Sequence, residues 1–538
     1  MANLEEIMKA KREARAAKLR AGRIETAVKT GTVQNFLRRD ETLAFAEHLK
    51  PYQQQAVLMT VKNKRTNSHT LNASDVGIGK TRVAGSFVNT VNFNKVLWLT
   101  SVTLVQPTIK ELSSIGAIAF NITGGAQSYL KIPLPGTIIY VTNYETIKRD
   151  SALLTRNLWD CVVIDEVTKL KGGASYKPTI IWKEVKKLLH DLNPEAYRLF
   201  LSGTPAVNRP EEIWAYLHLF DPDRFSHYAT FQRIFCHLSY GKAVMSVDKL
   251  MDLLQGMIIR QTVSNLGLEG VPSLDDPTWF HTVREELHVD RNSTVGKAYL
   301  QLASESLTAL DDTHNLAPSM QLELILRLRQ LLLAGETFKY KKHYYYLDQD
   351  NRVVHESQDM TLHLDGPYPK LDRAEEIIAS LQGEGEQVIV FSTMNQPLHN
   401  LKKALDRTGF YTVGLLTGET TPDKRQKMVT DFQQGTLDVL LINKLAGAEG
   451  LNLQKCDAWP GGARFMIHLD SWWNPAKERQ ANGRCVRMNT NAPVQAIYLH
   501  VANSVDDFIQ GIIDMKAEQI SQLDVGIVRR MLQEGTLG

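Results

Sequence analysis

Short apolar runs of β-type residues recur along this chain in two series, with helix-like segments between them. The runs cover 96–100, 136–141, 161–164 and 198–201 in the first series, and 388–391, 412–416, 439–442, 464–469 and 496–501 in the second. Apolar strands that alternate with helices are typical of parallel sheets buried on both faces. The pattern therefore predicts an α/β fold with two parallel-sheet lobes in tandem and an insertion between them.

The length of the chain agrees with this organisation. Its 538 residues, 43% of them hydrophobic, suffice for about three domains. We expect a basic N-terminal extension at 1–45, a first lobe at 46–265, a partly helical insertion at 266–369, a second lobe at 370–515 and a C-terminal tail at 516–538. Within the insertion, the pattern predicts a helix pair near 295–310 and 320–333.

Two segments allow more than one interpretation. Residues 5–26 are rich in Ala, Lys and Arg and predict a basic helix, which is either a solvated face or a contact for phosphate or a partner. The Tyr-rich segment 339–346 favours a β-hairpin with packed aromatic faces over a base-stacking surface, and we assign no site to it.

Charge and cysteine content exclude several classes of protein. With Lys+Arg 62 against Asp+Glu 59, the net charge is only +3, so any nucleic-acid contact must come from local basic surfaces. The cysteines have no metal-ligand spacing, which predicts reduced thiols and no structural zinc: Cys161, Cys236, Cys456 and Cys485. No apolar stretch approaches the length of a membrane span, so we expect a cytoplasmic or nucleic-acid-associated protein, neither secreted nor membrane-spanning.

A glycine-rich turn at 74–81 ends in Gly-Lys-Thr. Gly77 and Gly79 allow backbone N–H groups to approach phosphate oxygens, and the next helix presents its positive dipole end. Lys80 can reach the β- and γ-phosphates, and Thr81 can bind Mg²⁺. The first position of the full pattern is serine rather than glycine. The turn predicts a nucleotide site.

Two carboxylates follow the apolar run at 161–164. Asp165 and Glu166 would lie at the carboxyl edge of a buried strand, where parallel sheets bind their ligands. Beside a phosphate-binding turn, Asp165 would hold Mg²⁺ and Glu166 would orient and deprotonate the attacking water.

The second lobe contributes a polar set at i, i+4 and i+7, formed by Gln480, Arg484 and Arg487. If 476–488 is helical, all three lie on one face and can serve one pocket. Guanidinium groups stabilise charge that develops on a transferred phosphoryl group. A solvated helix face is the alternative, but the first lobe shows no obvious arginine for this task, which favours the catalytic interpretation.

In this order, the motifs resemble those of superfamily 2 helicase-like ATPases, and specifically the Swi/Snf-related DNA translocases. The similarity covers about residues 46–510, in the segments 49–53, 74–81, 97–107, 165–168, 201–205, 388–392, 416–418, 443–453 and 473–487. The segment 165–168 reads Asp-Glu-Val-Thr rather than the Asp-Glu-Ala-His of the family. The absence of a histone-reading module favours a compact viral or prokaryotic motor.

The resemblance implies two RecA-like lobes that hydrolyse ATP with Mg²⁺. It implies nucleotide contacts by Gln53, as the adenine reader, and by Asp75, Gly77, Ile78, Gly79, Lys80 and Thr81. It implies metal binding by Thr81 and Asp165, and catalysis by Lys80, Glu166, Gln480, Arg484 and Arg487. It implies DNA contacts by Thr100, Ser101, Thr103, Thr417, Gly418 and Lys444.

The function expected from these motifs is ATP-driven movement along double-stranded DNA. A strand-separating or branch-migration helicase acting on DNA or RNA:DNA hybrids is a close alternative. A nucleotide-gated scaffold that binds DNA, RNA polymerase or another DNA-bound protein is an alternative from another class. The intact set of phosphate-chemistry residues, Lys80, Asp165, Glu166, Arg484 and Arg487, argues against the scaffold.

Overall fold

A computed structural model of the chain describes residues 43–66, 68–123, 136–149, 158–175, 177–203, 210–239, 242–245, 257–263, 266, 271–312, 318–347, 353–445 and 451–517. The predicted basic helix at 5–26 lies outside these residues, as do most of the predicted tail and the stretch 446–450. The chain divides into two compact units. One reaches Val271 and includes Asn474–Lys477, and the other comprises Pro272–Trp473 and Glu478–Asp514.

The first unit contains a seven-stranded sheet among its described residues, and every pair of neighbouring strands in it is parallel. Its strands are β1 (Thr70–Asn72), β2 (Lys95–Thr100), β3 (Ile118–Asn121), β4 (Ile138–Asn143), β5 (Cys161–Asp165), β6 (Tyr197–Leu201) and β9 (Ile258–Ile259). The spatial order is β3-β4-β2-β5-β6-β1-β9. An antiparallel hairpin of β7 (Cys236–Ser239) and β8 (Lys242–Met245) is separate from this sheet.

Helices cover both faces of this sheet. They are α1 (Pro51–Arg65), α2 (Lys80–Thr90), α3 (Val105–Ser114), α4 (Tyr144–Arg149), α5 (Ile180–Lys186), α6 (Trp214–Phe220) and α7 (Tyr228–Phe235). Successive side chains of β2 enter opposite cores: Leu97 and Leu99 pack on one face, and Val96 and Trp98 on the other. Burial on both faces explains why these strands read as continuous apolar runs.

The second unit contains a six-stranded parallel sheet among its described residues. Its strands are β10 (Phe280–Leu287), β13 (Val388–Ser392), β14 (Val413–Leu416), β15 (Val439–Asn443), β16 (Phe465–His468) and β17 (Val494–Val501), in the spatial order β10-β17-β16-β13-β15-β14. Val388 and Val390 pack on one face, and Ile389 and Phe391 on the other. The prediction of two parallel-sheet lobes is confirmed.

The segment between the lobes contains the predicted helix pair, α8 (Thr294–Asp312) and α9 (Pro318–Leu332). The Tyr-rich segment forms an antiparallel hairpin of β11 (Thr337–Leu347) and β12 (Val353–His363), as the sequence favours. The remaining helices are α10 (Pro369–Gly383), α11 (Asn395–Thr408), α12 (Pro422–Gln433), α13 (Pro475–Asn482) and α14 (505–517).

One part of the expected insertion belongs elsewhere. Strand β10 pairs with β17 along its whole length and forms an edge of the second sheet, so the assignment of 280–287 to an insertion is wrong. The helix pair also packs onto the second unit, because Val295 and Leu331 share a core with Val501 and Val505. The segment is therefore an elaboration of the second lobe.

Among the described residues, none of the helices combines the length and the apolar character needed to cross a membrane. Cys161, Cys456 and Cys485 are buried free thiols.

Candidate nucleotide-binding site

The predicted phosphate-chemistry residues of the first unit lie at the carboxyl edge of its sheet. The central strand β5 ends at Asp165, its neighbour β6 ends at Leu201, and β1 ends at Asn72, just before the glycine-rich turn. Parallel sheets bind ligands in the crevice outside this edge. Strands that are distant in sequence thus bring their terminal side chains to one place.

Backbone pairing fixes the start of the glycine-rich turn. The N–H of Ala73 donates to the carbonyl of Ile259 at 2.7 Å, and the N–H of Asp75 donates to that of Gln261 at 2.9 Å. The side chain of Gln261 also donates to the Tyr52 carbonyl of α1 at 3.0 Å. The turn therefore continues a β-type ladder with the residues directly after β9.

Two glycines give the turn its shape. Gly77 and Gly79 have φ angles of 89° and 90°, in the left-handed region that favours glycine. A Cβ atom on Gly79 would lie 2.2 Å from Nε2 of Gln53. Gly79 is also the N-cap of α2, and no side chain caps that helix start. The first N–H groups of α2 thus present an uncapped positive end at the turn.

Gln53 holds the turn from α1. Its Nε2 donates to the Ile78 carbonyl at 2.8 Å, and its Oε1 accepts from the N–H of Lys50 at 2.9 Å. Tyr52 approaches the same Ile78 carbonyl at 3.4 Å. In this structure, the residue expected to read adenine contacts the backbone of the phosphate-binding turn.

The ammonium of Lys80 is held inside the turn. Its Nζ donates to the carbonyls of Ser74 and Asp75, each at 2.8 Å. Burial lowers the pKa of Lys80 to about 8, although the carboxylates of Glu166, Asp165 and Asp75 oppose this shift. Thr81 comes next, in the first turn of α2. The ammonium group of Lys80 therefore lies where phosphate oxygens would meet the start of α2.

Asp165 lies at the end of β5 with both of its oxygens bonded. Oδ1 accepts from the N–H of Glu166 at 3.0 Å, and Oδ2 accepts from the hydroxyl of Thr100 at 3.3 Å. Burial and the neighbouring charge of Glu166 raise the pKa of Asp165 to about 7. A cation beside Asp165 would favour its ionised form.

Glu166 has a φ of 54°, a left-handed conformation that non-glycine residues rarely adopt. Tyr144 supports this corner, because its hydroxyl donates to the Asp165 carbonyl at 2.6 Å. Such conformations persist where the surrounding structure fixes them, and they are common at functional sites. Tyr144 was not identified from the sequence, since it begins α4 directly after β4 and only the fold brings its hydroxyl to the end of β5.

A buried arginine at this site was also missed by the sequence analysis. The side chain of Arg260 is only 7% exposed, and its Nη1 lies 3.3 Å from Asp75 Oδ1. Nη1 also donates to the carbonyls of Ala73 and Gly203. The first lobe therefore does contain an arginine beside the phosphate-binding turn. Its position directly after the short apolar run 257–259 was the available signal.

The turn that follows β6 packs against the glycine-rich turn. A Cβ atom on Gly203 would lie 2.5 Å from Cγ2 of Val76 and 3.6 Å from Nζ of Lys80. This close approach explains the need for glycine in the Ser-Gly pair that follows β6. The later residues of this motif, from Thr204, lie outside the described part of the chain.

These residues fit a nucleotide phosphate chain with a divalent cation. The cationic groups of Lys80 and Arg260 and an uncapped helix start match phosphate oxygens. The Asp165 carboxylate, whose pKa burial raises, and the Thr81 hydroxyl match the oxygen ligands that Mg²⁺ prefers.

In the second unit, the predicted single helical face does not exist. Helix α13 ends at Asn482, so Gln480 is helical while Arg484 and Arg487 lie in the turns after the helix. The premise of a helix over 476–488 is wrong, and Gly483 marks the point where the helix stops. Backbone contacts with 451–453 hold the turns instead: Leu453 N–H donates to the Arg484 carbonyl at 3.1 Å, and Arg487 Nη2 donates to the Leu451 carbonyl at 3.3 Å.

The residues expected to contact DNA differ in their exposure to solvent. Thr103 and Gly418 are exposed, and Ser101 and Thr417 are buried. Thr100 is buried with its hydroxyl on Asp165, and Lys444 is buried in an ion pair with Glu478. For Thr100 and Lys444 the predicted DNA contact is wrong, because their polar groups are turned into the protein.

Comparison with known families agrees with this arrangement. Residues 133–331 match the SNF2-related domain, residues 369–489 the helicase conserved C-terminal domain, and residues 47–207 the res subunit of type III restriction enzymes. The chain therefore combines an SNF2-related domain with a helicase conserved C-terminal domain. The matched ranges include the glycine-rich turn, Asp165 and Glu166 in one unit, and Gln480, Arg484 and Arg487 in the other.

Several curated SNF2-family proteins resemble the chain. It is 23% identical to the putative ATP-dependent helicase/translocase YwqA of Bacillus subtilis over 74% of this chain and 39% of that protein. It is 23% identical to the ISWI chromatin-remodeling complex ATPase ISW1 of Saccharomyces cerevisiae over 86% and 39%, and 24% identical to the ATP-dependent helicase brm of Drosophila melanogaster over 86% and 28%. The chain spans well under half the length of these relatives.

A solved structure also resembles the chain. The Sulfolobus solfataricus SWI2/SNF2 ATPase core in complex with dsDNA aligns with a TM-score of 0.37 and 19% identity, over 89% of this chain and 93% of that one.

Proposed function

We propose that this chain is an ATP-dependent translocase that moves along double-stranded DNA and remodels protein–DNA or DNA structures. The observation that carries the proposal is the convergence of Lys80, Asp165, Glu166 and Arg260 at one sheet edge beside an uncapped helix start. A site that only binds nucleotide needs no general base, whereas Glu166 adjoins the residue suited to hold Mg²⁺.

Each residue of the first unit has a distinct part in the proposed reaction. Lys80 and the start of α2 bind the β- and γ-phosphates, with Asp75, Gly77 and Ile78 shaping the turn. Thr81 and Asp165 hold Mg²⁺, which neutralises charge on the phosphate oxygens when bound. Glu166 orients the attacking water and accepts its proton.

The second unit contributes Gln480, Arg484 and Arg487 in this proposal. Guanidinium groups stabilise charge on the transferred phosphoryl group, and supplying them from a different unit makes hydrolysis depend on both. The support is the match of residues 369–489 to the helicase C-terminal domain. Contacts with phosphates alone do not read the base sequence, which suits a protein that must travel over any DNA.

The proposed nucleic acid rests on the family match and on the names of the relatives. The SNF2-related match and the names of two curated relatives, a putative helicase/translocase and a chromatin-remodeling ATPase, support a nucleic-acid substrate and a nucleic-acid-associated protein. We propose double-stranded DNA as that nucleic acid. Thr103 and Gly418 stay as proposed contacts because they are exposed.

The decisive experiment compares ATP hydrolysis by the full chain in the presence of matched double-stranded DNA, single-stranded DNA and RNA. We expect the strongest stimulation by double-stranded DNA. Lys80→Ala should abolish the stimulated rate, because it removes the cation that binds the β- and γ-phosphates. Lys402→Ala, which removes a lysine paired with Asp406 on the surface of α11, should retain the rate.

Other outcomes identify the alternatives. Stimulation mainly by single strands, together with release of a labelled strand from a fork, would favour a helicase. Tight DNA binding without any ATP turnover would favour a scaffold. Normal turnover by Lys80→Ala would contradict the assignment of the phosphate site itself.

A further inference from the structure

A completely buried lysine lies directly after strand β15 in the second unit. The side chain of Lys444 is 0% exposed, and its backbone N–H donates to the Ser392 carbonyl at the end of β13 at 2.8 Å. Its Nζ donates to the Asp470 carbonyl at 2.5 Å and lies 2.7 Å from Glu478 Oε1. A buried ammonium is costly unless it is paired, so this geometry must be specific.

Glu478, which lies on α13, is the centre of this cluster. Oε1 contacts Lys444 and also lies 2.9 Å from Nδ1 of His468, while Oε2 accepts from the N–H of Trp472 at 3.1 Å. Burial alone would raise the pKa of Glu478, but the charge of Lys444 and the contact with His468 lower it to about 2. The ionised carboxylate thus joins α13 to the ends of β15 and β16.

A second contact holds the same helix four residues later. Asn482 Nδ2 donates to the hydroxyl of Tyr498 at 2.9 Å. The ring of Tyr498 stacks on His468 with a centroid distance of 4.3 Å and an angle of 9°. Residues at i and i+4 lie on one helix face, so Glu478 and Asn482 attach one side of α13 to the sheet. Gln480 lies between them, and the turns with Arg484 come next.

We propose that Lys444 is a positioning residue which, through Glu478, fixes α13 and thereby the orientation of Gln480 and of the arginine-bearing turns. The inference rests on the proposed function for its effect on hydrolysis. It replaces the DNA contact expected for Lys444 with an internal link between the end of β15 and the α13 segment. Because both groups are buried, substitutions affect stability as well, and the test must separate the two effects.

The test uses the variants Lys444→Met, Glu478→Gln and the double variant in the full chain. Lys444→Met should lower the melting temperature, because it leaves a buried carboxylate without its cation. The double variant should recover most of the melting temperature, since a neutral buried pair can be as stable as an ion pair. Its kcat for DNA-stimulated ATP hydrolysis should still be reduced about 10- to 100-fold, with an unchanged KM for ATP, because α13 is misplaced.

A second ion pair of the same unit provides the matched control. Lys370 and Asp506 are also 2.7 Å apart, with side chains 2% and 11% exposed, and this ion pair joins α10 to the start of α14 rather than to α13. The variant Lys370→Met/Asp506→Asn should retain the wild-type kcat at a temperature where both double variants are folded. Lys444→Arg, which keeps the charge, should restore part of the kcat lost in Lys444→Met.

A readout independent of activity is hydrogen exchange in 475–482. Protection of these amides should fall in the Lys444→Met/Glu478→Gln variant and not in the control. Unchanged protection together with a wild-type kcat would overturn the positioning role. A rise in KM alone, or an equal loss of kcat in the control, would also overturn it. Absence of ATP hydrolysis in the wild-type chain would instead refute the proposed function, and the exchange measurement would still decide the structural link.

Discussion

Gln53 links the start of its own helix to the phosphate-binding turn. Its amide bonds the backbone of Lys50 on one side and that of Ile78 on the other. Gly79 approaches the same amide so closely that a Cβ atom there would displace it. The side chain therefore has a structural task at the turn, whether or not it also contacts a base.

Gln53→Ala should weaken the binding of ATP and of GTP by similar factors, because the loss of support at Ile78 acts on phosphate binding and not on base recognition. Competition of ATP and GTP against a fluorescent ADP analogue measures both affinities. Gln54→Ala, which removes the neighbouring amide bonded to Ala46 and Leu49, is the matched control and should leave both unchanged. Weakened ATP binding with unaltered GTP binding would show that Gln53 reads adenine instead.

At the scale of elements, the short strand β9 is important for the site because it leads into Arg260 and Gln261. Gln261 pairs with the backbone of the glycine-rich turn, and Arg260 reaches the carboxylate of Asp75. The side chains of Arg260 and Asp75 are both 7% exposed, so the pair is held away from water. A buried acid that loses its cation typically costs about 3–5 kcal/mol of stability.

Arg260→Met should therefore destabilise the first unit strongly, by about 3 kcal/mol or more. The double variant Asp75→Asn/Arg260→Met should recover much of this loss, because it leaves no unpaired buried charge. Thermal unfolding of the full chain, followed by circular dichroism with and without ADP, measures both effects. Arg224→Met, at an exposed arginine of the same unit, is the control. Equal melting temperatures for Arg260→Met and the control would show that the pair contributes nothing.

The strands and the residues at their carboxyl ends were accessible from the sequence, for a physical reason. A strand buried on both faces reads as an uninterrupted apolar run, and the ends of parallel strands share one edge. Asp165 could therefore be placed beside the glycine-rich turn without a structure. Arg260 carried a much weaker signal, because its partner Asp75 is far away in sequence and the strand before it has only two residues.

The errors have equally specific causes. The resemblance places Lys444 among the DNA contacts, and a sequence does not show which lysines are buried. Its acid partner lies on α13, beyond β16. Helical spacing of Gln480, Arg484 and Arg487 was real, but Gly483 ends the helix before the arginines. Strand β10 has only exposed and half-buried residues, and its largely polar sequence lacks the apolar run of its neighbours.

At the scale of the whole molecule, the chain consists of two units that each have a parallel sheet with a core on both faces. The helix pair and the Tyr-rich hairpin belong with the second unit, where they share its core. The groups suited to bind phosphate and Mg²⁺ are in the first unit, and the arginines of the C-terminal helicase match are in the second. Because these groups lie in different units, a substitution in the second unit should affect hydrolysis and nucleotide binding differently.

If hydrolysis needs the second unit, removing Arg487 should affect the chemical step and leave binding nearly intact. Arg487→Ala should lower the DNA-stimulated rate steeply, on the order of 10³-fold, because the lost guanidinium stabilises charge that develops only during transfer. The affinity for ADP should change little, since Lys80, Asp75 and the start of α2 are untouched. Single-turnover hydrolysis and equilibrium ADP binding separate the two quantities.

The control for this last prediction is Arg407→Ala, which removes an exposed arginine of the same unit that pairs with Glu336. Its rate and affinity should both equal those of the wild type. An Arg487→Ala variant that loses ADP affinity but keeps its single-turnover rate would place Arg487 in ground-state binding. A variant unchanged in both would mean that hydrolysis depends on the first unit alone, and an arginine of that unit, such as Arg260, would then have to stabilise the developing charge.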